Sequence, residues 1–426
     1  MEQKTILYFC AGDWDWSGPF AANRYHIYLL AQKNRVLFVN QPVWFLTPFI
    51  QRGKWRTYRT YGRIKAVQTG VSPAPSEGVD MTVFTPVVPL LFNPRLPLPG
   101  VFKRLLNRWN NELIARQAMR TLGRCYGHDV TADFLWVGSY FHGSLVSRVP
   151  HRISCALIYD ELSQSPIFTP AQQQLVAQLE EDLLRQVDLV LTTSRPLYET
   201  KRKVNSRCVL LENGVPEHFL PERRAQLDAM NATALRRYRE TLERMKSLPG
   251  KKIGYVGSLN LRLDGPLLVK LASEMPDVHF VFIGNLDRDF DRRALQSMRA
   301  MQNVHFWARV QHSMIPYFFE LFDSLILPFA LNEFTRNIYP EKLNEYLSSG
   351  KPIVSTPLEE VVRVTRDHDG TVYIAKDAEA FVTLCRRGLE EKEPALVSAR
   401  QSLARANTYE RRAATLEHAL DELLAR

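Results

Sequence analysis

The segment Asn332–Pro357, NEFTRNIYPEKLNEYLSSGKPIVSTP, gathers more potential chemistry than any other stretch of this 426-residue chain. Pro340 suits the first turn of a helix, Leu343, Tyr346 and Leu347 supply its apolar stripe, and Gly350 ends it before a strand over 352–355. The amino end of such a helix presents unpaired amide donors and about half a positive charge, a seat for phosphate oxygens. Glu341 and Glu345 stand four apart on one face, where like charges repel by about 0.3 kcal/mol. A ribose diol held by a carboxylate would offset that cost, as would pairing with Lys342 or Arg336. A solvated helix face accounts for the same spacing.

Other carboxylates fall at predicted strand ends. Asp13 and Asp15 flank Trp14 in the loop after the first strand, and Asp287 and Asp289 flank Arg288. Two carboxylates alone make a weak metal motif, and loop capping explains both pairs, so no metal and no cofactor are expected. Asp13 and Asp15 remain candidates to touch an acceptor. Asp160, in Ile158-Tyr159-Asp160-Glu161, is the first choice for a carboxylate near a reacting hydroxyl, with a helix cap as its other reading. His26 and His142 are further bases, although a buried structural partner explains a lone His as well.

Positioning these residues requires repeated strand and helix units. Short apolar, β-branched runs recur every 25 to 40 residues, the pattern of parallel α/β sheets. One series runs from Thr5 to Leu211 and closes at Asn213-Gly214-Val215; a second runs from Ile253 to Ile374. The reading is two tandem Rossmann-like, doubly wound domains. The first spans 1–216, a connecting helix 217–249, the second domain 250–405 and a C-terminal crossover helix 406–426. Open α/β sheets bind ligands at the carboxyl ends of their strands, which places the site in the interdomain cleft. Neither domain's first turn contains Gly-x-Gly-x-x-Gly, which disfavours a dinucleotide dehydrogenase.

Charge is unevenly spread. Of the net +10, the first 111 residues hold 14 Lys and Arg against 5 Asp and Glu, or +9. No acid occurs between Trp16 and Ser76, where Arg52, Lys54, Arg56, Arg59, Arg63 and Lys65 alternate with Trp55, Tyr58 and Tyr61. Such a stretch suits an anionic membrane surface. Single-stranded nucleic acid would also suit it, but no RNA-binding motif accompanies it; a solvated face remains open. The spacing of Phe102, Leu105, Leu106, Trp109 and Leu113 predicts a helix packed on its own domain. No run approaches the roughly 18 apolar residues of a membrane span, and the N-terminus lacks a secretory signal. Five scattered cysteines suit free thiols in a reducing compartment. These features predict a cytoplasmic protein, peripheral on the membrane if the basic stretch attaches there.

The run Pro340–Thr356, with Pro340, Lys342, Glu345, Tyr346, Leu347, Gly350, Lys351 and Pro352, resembles the donor-binding helix of bacterial two-domain (GT-B fold) glycosyltransferases of the large retaining group, especially the branch building cell-surface polysaccharides. Ile253–Asp264, IGYVGSLNLRLD, is similar to that family's first C-domain strand, its Gly-Ser turn and the following Arg-Leu-Asp. Asn303–Pro328, Asn213-Gly214-Val215 and Asn407–Arg411 add to the likeness. It implies transfer of a hexose or deoxyhexose from a nucleotide diphosphate sugar to a hydroxyl of a glycan acceptor, lipid-linked, with retention. By the same resemblance Gly257 lets the backbone approach the diphosphate, Arg262 neutralises it and Thr335 donates a hydroxyl to phosphate. Arg309 and Val310 meet the nucleobase, and Glu345 takes the ribose. The chain departs from the family at Asn337, where many members carry a first Glu seven residues before the second. That departure leaves two alternatives standing beside transfer: a same-fold epimerase or hydrolase, and a non-catalytic sugar-nucleotide or glycan-binding scaffold.

Overall fold

The computed structural model describes residues 2–10, 22–45, 62–64 and 80–425. Asp13, Asp15 and the basic aromatic stretch from Arg52 through Tyr61, with Lys65, lie outside them. Two parallel sheets organise the chain. The first contains β1 (Thr5–Phe9), β2 (Arg35–Val39), β4 (Gly62–Ile64), β5 (Met81–Phe84), β7 (Ala132–Val137), β8 (His151–Ile158), β9 (Leu189–Thr192) and β10 (Cys208–Leu210), in the order β10-β9-β8-β7-β1-β2-β5-β4. β4 alone runs antiparallel. A separate pair joins β3 (Val43–Trp44) to β6 (Val87–Val88). β3, β4 and β6, only two or three residues long, escape any periodicity argument.

The second sheet contains β11 (Lys252–Val256), β12 (His279–Ile283), β13 (Val304–Trp307), β14 (Ser324–Leu327), β15 (Ile353–Ser355) and β16 (Tyr373–Ile374). Its order, β13-β12-β11-β14-β15-β16, reverses direction between β11 and β14, the switch point at which doubly wound sheets open a crevice. Both sheets are covered on both faces, so their strands read as continuous apolar runs. In β1, Ile6 and Tyr8 face the packing of Tyr409, Leu416 and Leu420 from the last helix, while Leu7 and Phe9 face Leu183 and Leu197. The chain is thus an α/β protein of two Rossmann-like units. Its last helix, Tyr409–Leu424, returns to the first unit, where Tyr25 donates to Glu410 at 3.0 Å and Lys33 pairs with Glu417 at 3.3 Å.

Between the units the chain crosses twice. Val215 donates to Asn407 O at 2.9 Å and Tyr409 to Val215 O at 3.1 Å, so the outgoing and returning segments are bonded side by side in an isolated parallel bridge. A Cβ on Gly214 would stand 2.7 Å from the Tyr409 nitrogen, which is why the turn takes glycine there. The helix Arg224–Lys246 that follows belongs to the second unit: Asn231 donates to Ser313 O at 3.1 Å and Met245 is fully buried. The link between the units therefore narrows to the two short crossings.

The helix Gly100–Tyr126 overturns one expectation. Its polar residues Lys103, Asn107, Asn110 and Asn111 are buried, while Phe102, Leu105 and Trp109 are 59%, 54% and 49% exposed. The preceding proline-rich chain explains the inversion. Bent and proline-punctuated, it leaves carbonyls such as those of Leu90 and Pro94 without a ladder partner, and the helix supplies side-chain donors instead. Lys103 donates to Pro94 O at 2.7 Å and Asn110 to Leu90 O at 2.8 Å; Asn111 reaches Phe141 O at 2.8 Å.

Candidate functional site

At the carboxyl end of β11 the chain turns through Gly257, at φ 151°, and that of β12 through Gly284, at φ 158°. These backbone conformations favour glycine, and space demands it as well. A Cβ on Gly284 would lie 2.1 Å from Gly257 O, and one on Gly257 would lie 1.9 Å from Lys342 Cε. Lys342 comes from the first turn of the helix Glu341–Ser349 and lays its chain across Gly257, with Nζ 5.6 Å from the Tyr255 ring centroid. Tyr346, one turn on, accepts the Val256 amide at 2.9 Å and ties the helix to the end of β11. Pro340 is the N-cap of this helix, one residue earlier than the first-turn position expected, and Gly350 closes it at φ 73°.

These ends enclose a cavity of about 260 Å³ whose walls include Gly257, Arg262, Arg309, Val310, Glu341, Lys342 and Glu345. Six of the nine expected donor-side residues thus meet in one space. Glu345 has a partner that sequence reasoning did not name: His312 Nε2 lies 2.9 Å from Glu345 Oε1, with the side chains 3% and 12% exposed. A carboxylate accepts there, so that ring nitrogen carries the hydrogen. The signal lay two residues past Val310, in the same loop.

Across the cleft, Asp160 ends the β8 side of a second cavity, of about 310 Å³, walled by Tyr140, Tyr159, Phe168 and Arg95 among others. Asp160 Oδ2 pairs with Arg262 Nη2 at 2.6 Å, so a residue from each cavity joins the two units. Burial raises the Asp160 carboxyl above its ordinary value, and Arg262 opposes that rise. The carboxylate in turn raises the guanidinium further. Arg262 also lies 5.3 Å from the Phe334 ring centroid. A second ionic link stands behind the cleft. Arg363 pairs with the fully buried Glu360 at 2.6 Å and with Glu212, while Glu360 accepts the Arg195 amide at 2.7 Å.

Three expected donor-side residues do not line the cavity: Pro340, the N-cap already described, and two that are engaged elsewhere. Thr335 does not line the cavity: it is fully buried, its hydroxyl donates to Ala330 O and accepts the Asn332 amide at 3.1 Å in a capping box. A short helix start needed that hydroxyl, so it is not offered to phosphate. Asn337 turns its side-chain amide to donate to Glu333 O at 2.8 Å, and its main-chain carbonyl accepts from Ser194 Oγ at 2.7 Å from the first unit. His26 and His142 are core residues. Burial, then Arg412, lowers the His26 pKa to about 3, and burial lowers that of His142 to about 4; His26 packs edge-on against Tyr409. Among the described residues no group of three or more His, Cys, Asp or Glu is placed to hold a metal, and no helix is long and apolar enough to cross a membrane. The five cysteines are free.

Two Rossmann-like units with cavities facing across a cleft define the GT-B architecture, and within the second unit residues 250–391 match the model of the glycosyl transferases group 1 family. Among curated proteins, a putative teichuronic acid biosynthesis glycosyltransferase, TuaH of Bacillus subtilis (strain 168), is 23% identical over 161 residues. That match covers 38% of this chain and 40% of the relative's length. Sucrose-phosphate synthase from Thermosynechococcus elongatus shares the fold at a TM-score of 0.67 and 14% identity, over 99% of this chain and 100% of that one. HepE of Anabaena, solved with UDP-glucose, shares it at 0.62 and 12% identity, over 99% and 100%.

Proposed function

We propose that this chain is a glycosyltransferase that takes a hexose or deoxyhexose from a nucleotide diphosphate sugar and passes it to a hydroxyl of a surface-glycan acceptor, lipid-linked, with retention of configuration. The observation that carries the reading is the cavity in which Gly257, Lys342 and the amino end of the helix Glu341–Ser349 converge. The diphosphate lies over Gly257, against Lys342, Arg262 and the helix amides, which compensate the charge gathering on the departing group. Glu345, oriented by His312, takes the ribose hydroxyls, and Arg309 with the Val310 backbone meets the base. The acceptor enters the cavity beside Asp160. As the sugar's bond to phosphate oxygen breaks, the acceptor oxygen bonds the anomeric carbon from the same face, and its proton passes to the departing phosphate. No side-chain base stronger than that phosphate is then needed. The name of the teichuronic acid relative supports a surface glycan, and the UDP-glucose bound to the Anabaena protein supports a nucleotide-sugar donor.

The test is thermal stability with UDP-, GDP- and dTDP-sugars, since a ligand at 100 times its dissociation constant adds about 2.7 kcal/mol. A protein that responds to none of them refutes the reading. NMR assignment of the product anomer decides retention, and an inverted product would require one of the cleft carboxylates as base.

One observation favours a second reading. Where family members place a Glu near the transferred sugar, Asn337 is turned onto Glu333 O, as in a chain that binds donor without using it. Donor binding with no turnover across a panel of glycan acceptors, and no hydrolysis, would select that scaffold role.

A further inference from the structure

The helix Gly100–Tyr126 presents its apolar stripe to solvent, and that stripe continues into the neighbouring chain. Val101, Phe102, Leu105 and Trp109 share one side of the helix, and Leu90, Leu91 and Leu98 of the proline-rich segment are exposed beside it. Nine of the fifteen large apolar side chains exposed among the described residues fall between Phe45 and Trp109, so the exposure is concentrated rather than scattered. The surroundings are basic. Arg108 borders the stripe at helical spacing, as does Arg104, which donates to Gln178 at 2.6 Å; Arg95 lies in the adjoining loop over the Phe168 ring, and no acid occurs from Met81 to Asn111. The first acid after them, Glu112, is already paired with Arg148 and Arg116, each at 2.9 Å.

We infer that this stripe, with Leu90, Leu91 and Leu98, is a docking surface for an anionic lipid bilayer. Aromatic and aliphatic side chains enter the headgroup boundary while the flanking arginines meet lipid phosphates, the arrangement of a helix lying in the membrane plane. A second copy of the chain is a poorer occupant, because a two-fold contact would set Arg108 against its own copy with no acid in the stripe's own segment to receive it. Charge complementarity selects the bilayer. The same segment also walls the cavity at Asp160 through Asn93, Pro94 and Arg95. Docking therefore brings that cavity's mouth to the lipid surface, which fits an acceptor carried on a lipid; this last step rests on the proposed transfer reaction.

The experiment is flotation of the full chain with vesicles of phosphatidylcholine alone or mixed with phosphatidylglycerol. Binding is expected to the anionic vesicles only, with partial release in high salt. Changing Phe102→Ser, Leu105→Ser and Trp109→Ser together should lower partitioning at least about tenfold. Those residues are exposed, so melting temperature and the thermal response to donor should stay as in the unaltered chain. A charge variant, Arg108→Glu, should weaken binding to anionic vesicles with the apolar stripe intact. Failure of the unaltered chain to float, or equal flotation of the triple variant, overturns the inference. So does a dimer in sedimentation that the triple variant converts to monomer without any vesicle binding. Vesicle binding without a donor response would instead sink the transfer reading and leave the docking surface standing.

Discussion

The two cavities that face each other across the cleft are walled differently. On the second unit the wall is backbone: glycines at the ends of β11 and β12, a helix amino terminus, and one lysine laid over Gly257. On the first unit the wall is mostly side chain, with Tyr140, Tyr159 and Phe168 around Asp160. Backbone dipoles are fixed by the fold itself and, on the proposed transfer, would suit the part common to every donor, the diphosphate. Aromatic walls take their shape from whichever residues occupy them and on the same proposal would suit the part that varies, the acceptor. The ion pair between Asp160 and Arg262 is where the two designs touch.

The sharpest break of that contrast is Gly257→Val. The new side chain would occupy the space of Lys342 and force a disfavoured backbone angle, so donor binding should weaken by on the order of 2 to 4 kcal/mol. Calorimetric titration with donor measures it, and near-normal affinity would remove the close diphosphate approach. Glu345→Ala should cost about 1 to 3 kcal/mol of donor affinity through lost charge-assisted bonds. If His312 acts by orienting Glu345, His312→Ala adds little to Glu345→Ala in a double-mutant cycle; additive losses would separate the two.

Asp160→Asn sharpens the comparison by sign. Freed from its ion pair, Arg262 is available to diphosphate, so donor binding should tighten by about 1 kcal/mol while transfer to acceptor slows. Weaker donor binding instead would mean that the pair holds the cleft in its binding form. The smallest effect belongs to Glu410, at the start of the returning helix, whose pKa is raised from 4.5 to about 7, mainly by burial. The folded protein holds that proton across the interval while the unfolded chain does not. Stability from this group is therefore complete below pH 4.5 and lost as pH rises through 7. Melting between pH 6.5 and 8 should show a fall in stability of at most about 1 kcal/mol that Glu410→Gln removes; an unchanged fall assigns it to other groups.

The second unit was largely legible in the sequence because its strands are long apolar runs and its binding elements follow at once on strand ends. Gly257 follows Val256, and Lys342 and Glu345 belong to one helical turn pattern, so local order in the chain became proximity in space. Thr335 misled because a hydroxyl ahead of a helix amino end has two possible employers, phosphate and backbone, and the backbone took it. His312 escaped because a partner 33 residues away in sequence leaves no periodic trace. The first unit was harder. The apolar spacing of Phe102, Leu105 and Trp109 marked a helix correctly and its buried face wrongly, since periodicity reports that a helix has two faces and not which one meets the core. Lys103 and Asn110 won that face because proline-rich chain brought carbonyls needing donors.

The paired crossings at Val215 and Asn407–Tyr409 carry a mechanical consequence. Two straps bonded edge to edge behave as a leaf spring: they flex together about a line across both, and that flexing leaves their mutual hydrogen bonds in register. Twisting one unit on the other, or sliding it lengthwise, would shear the straps past each other and break the bonds at 2.9 and 3.1 Å. With no room for a side chain at Gly214, the spring has no slack to absorb such shear. Any opening of the gap between the units would thereby be confined to one soft coordinate, one that keeps Arg262 facing Asp160.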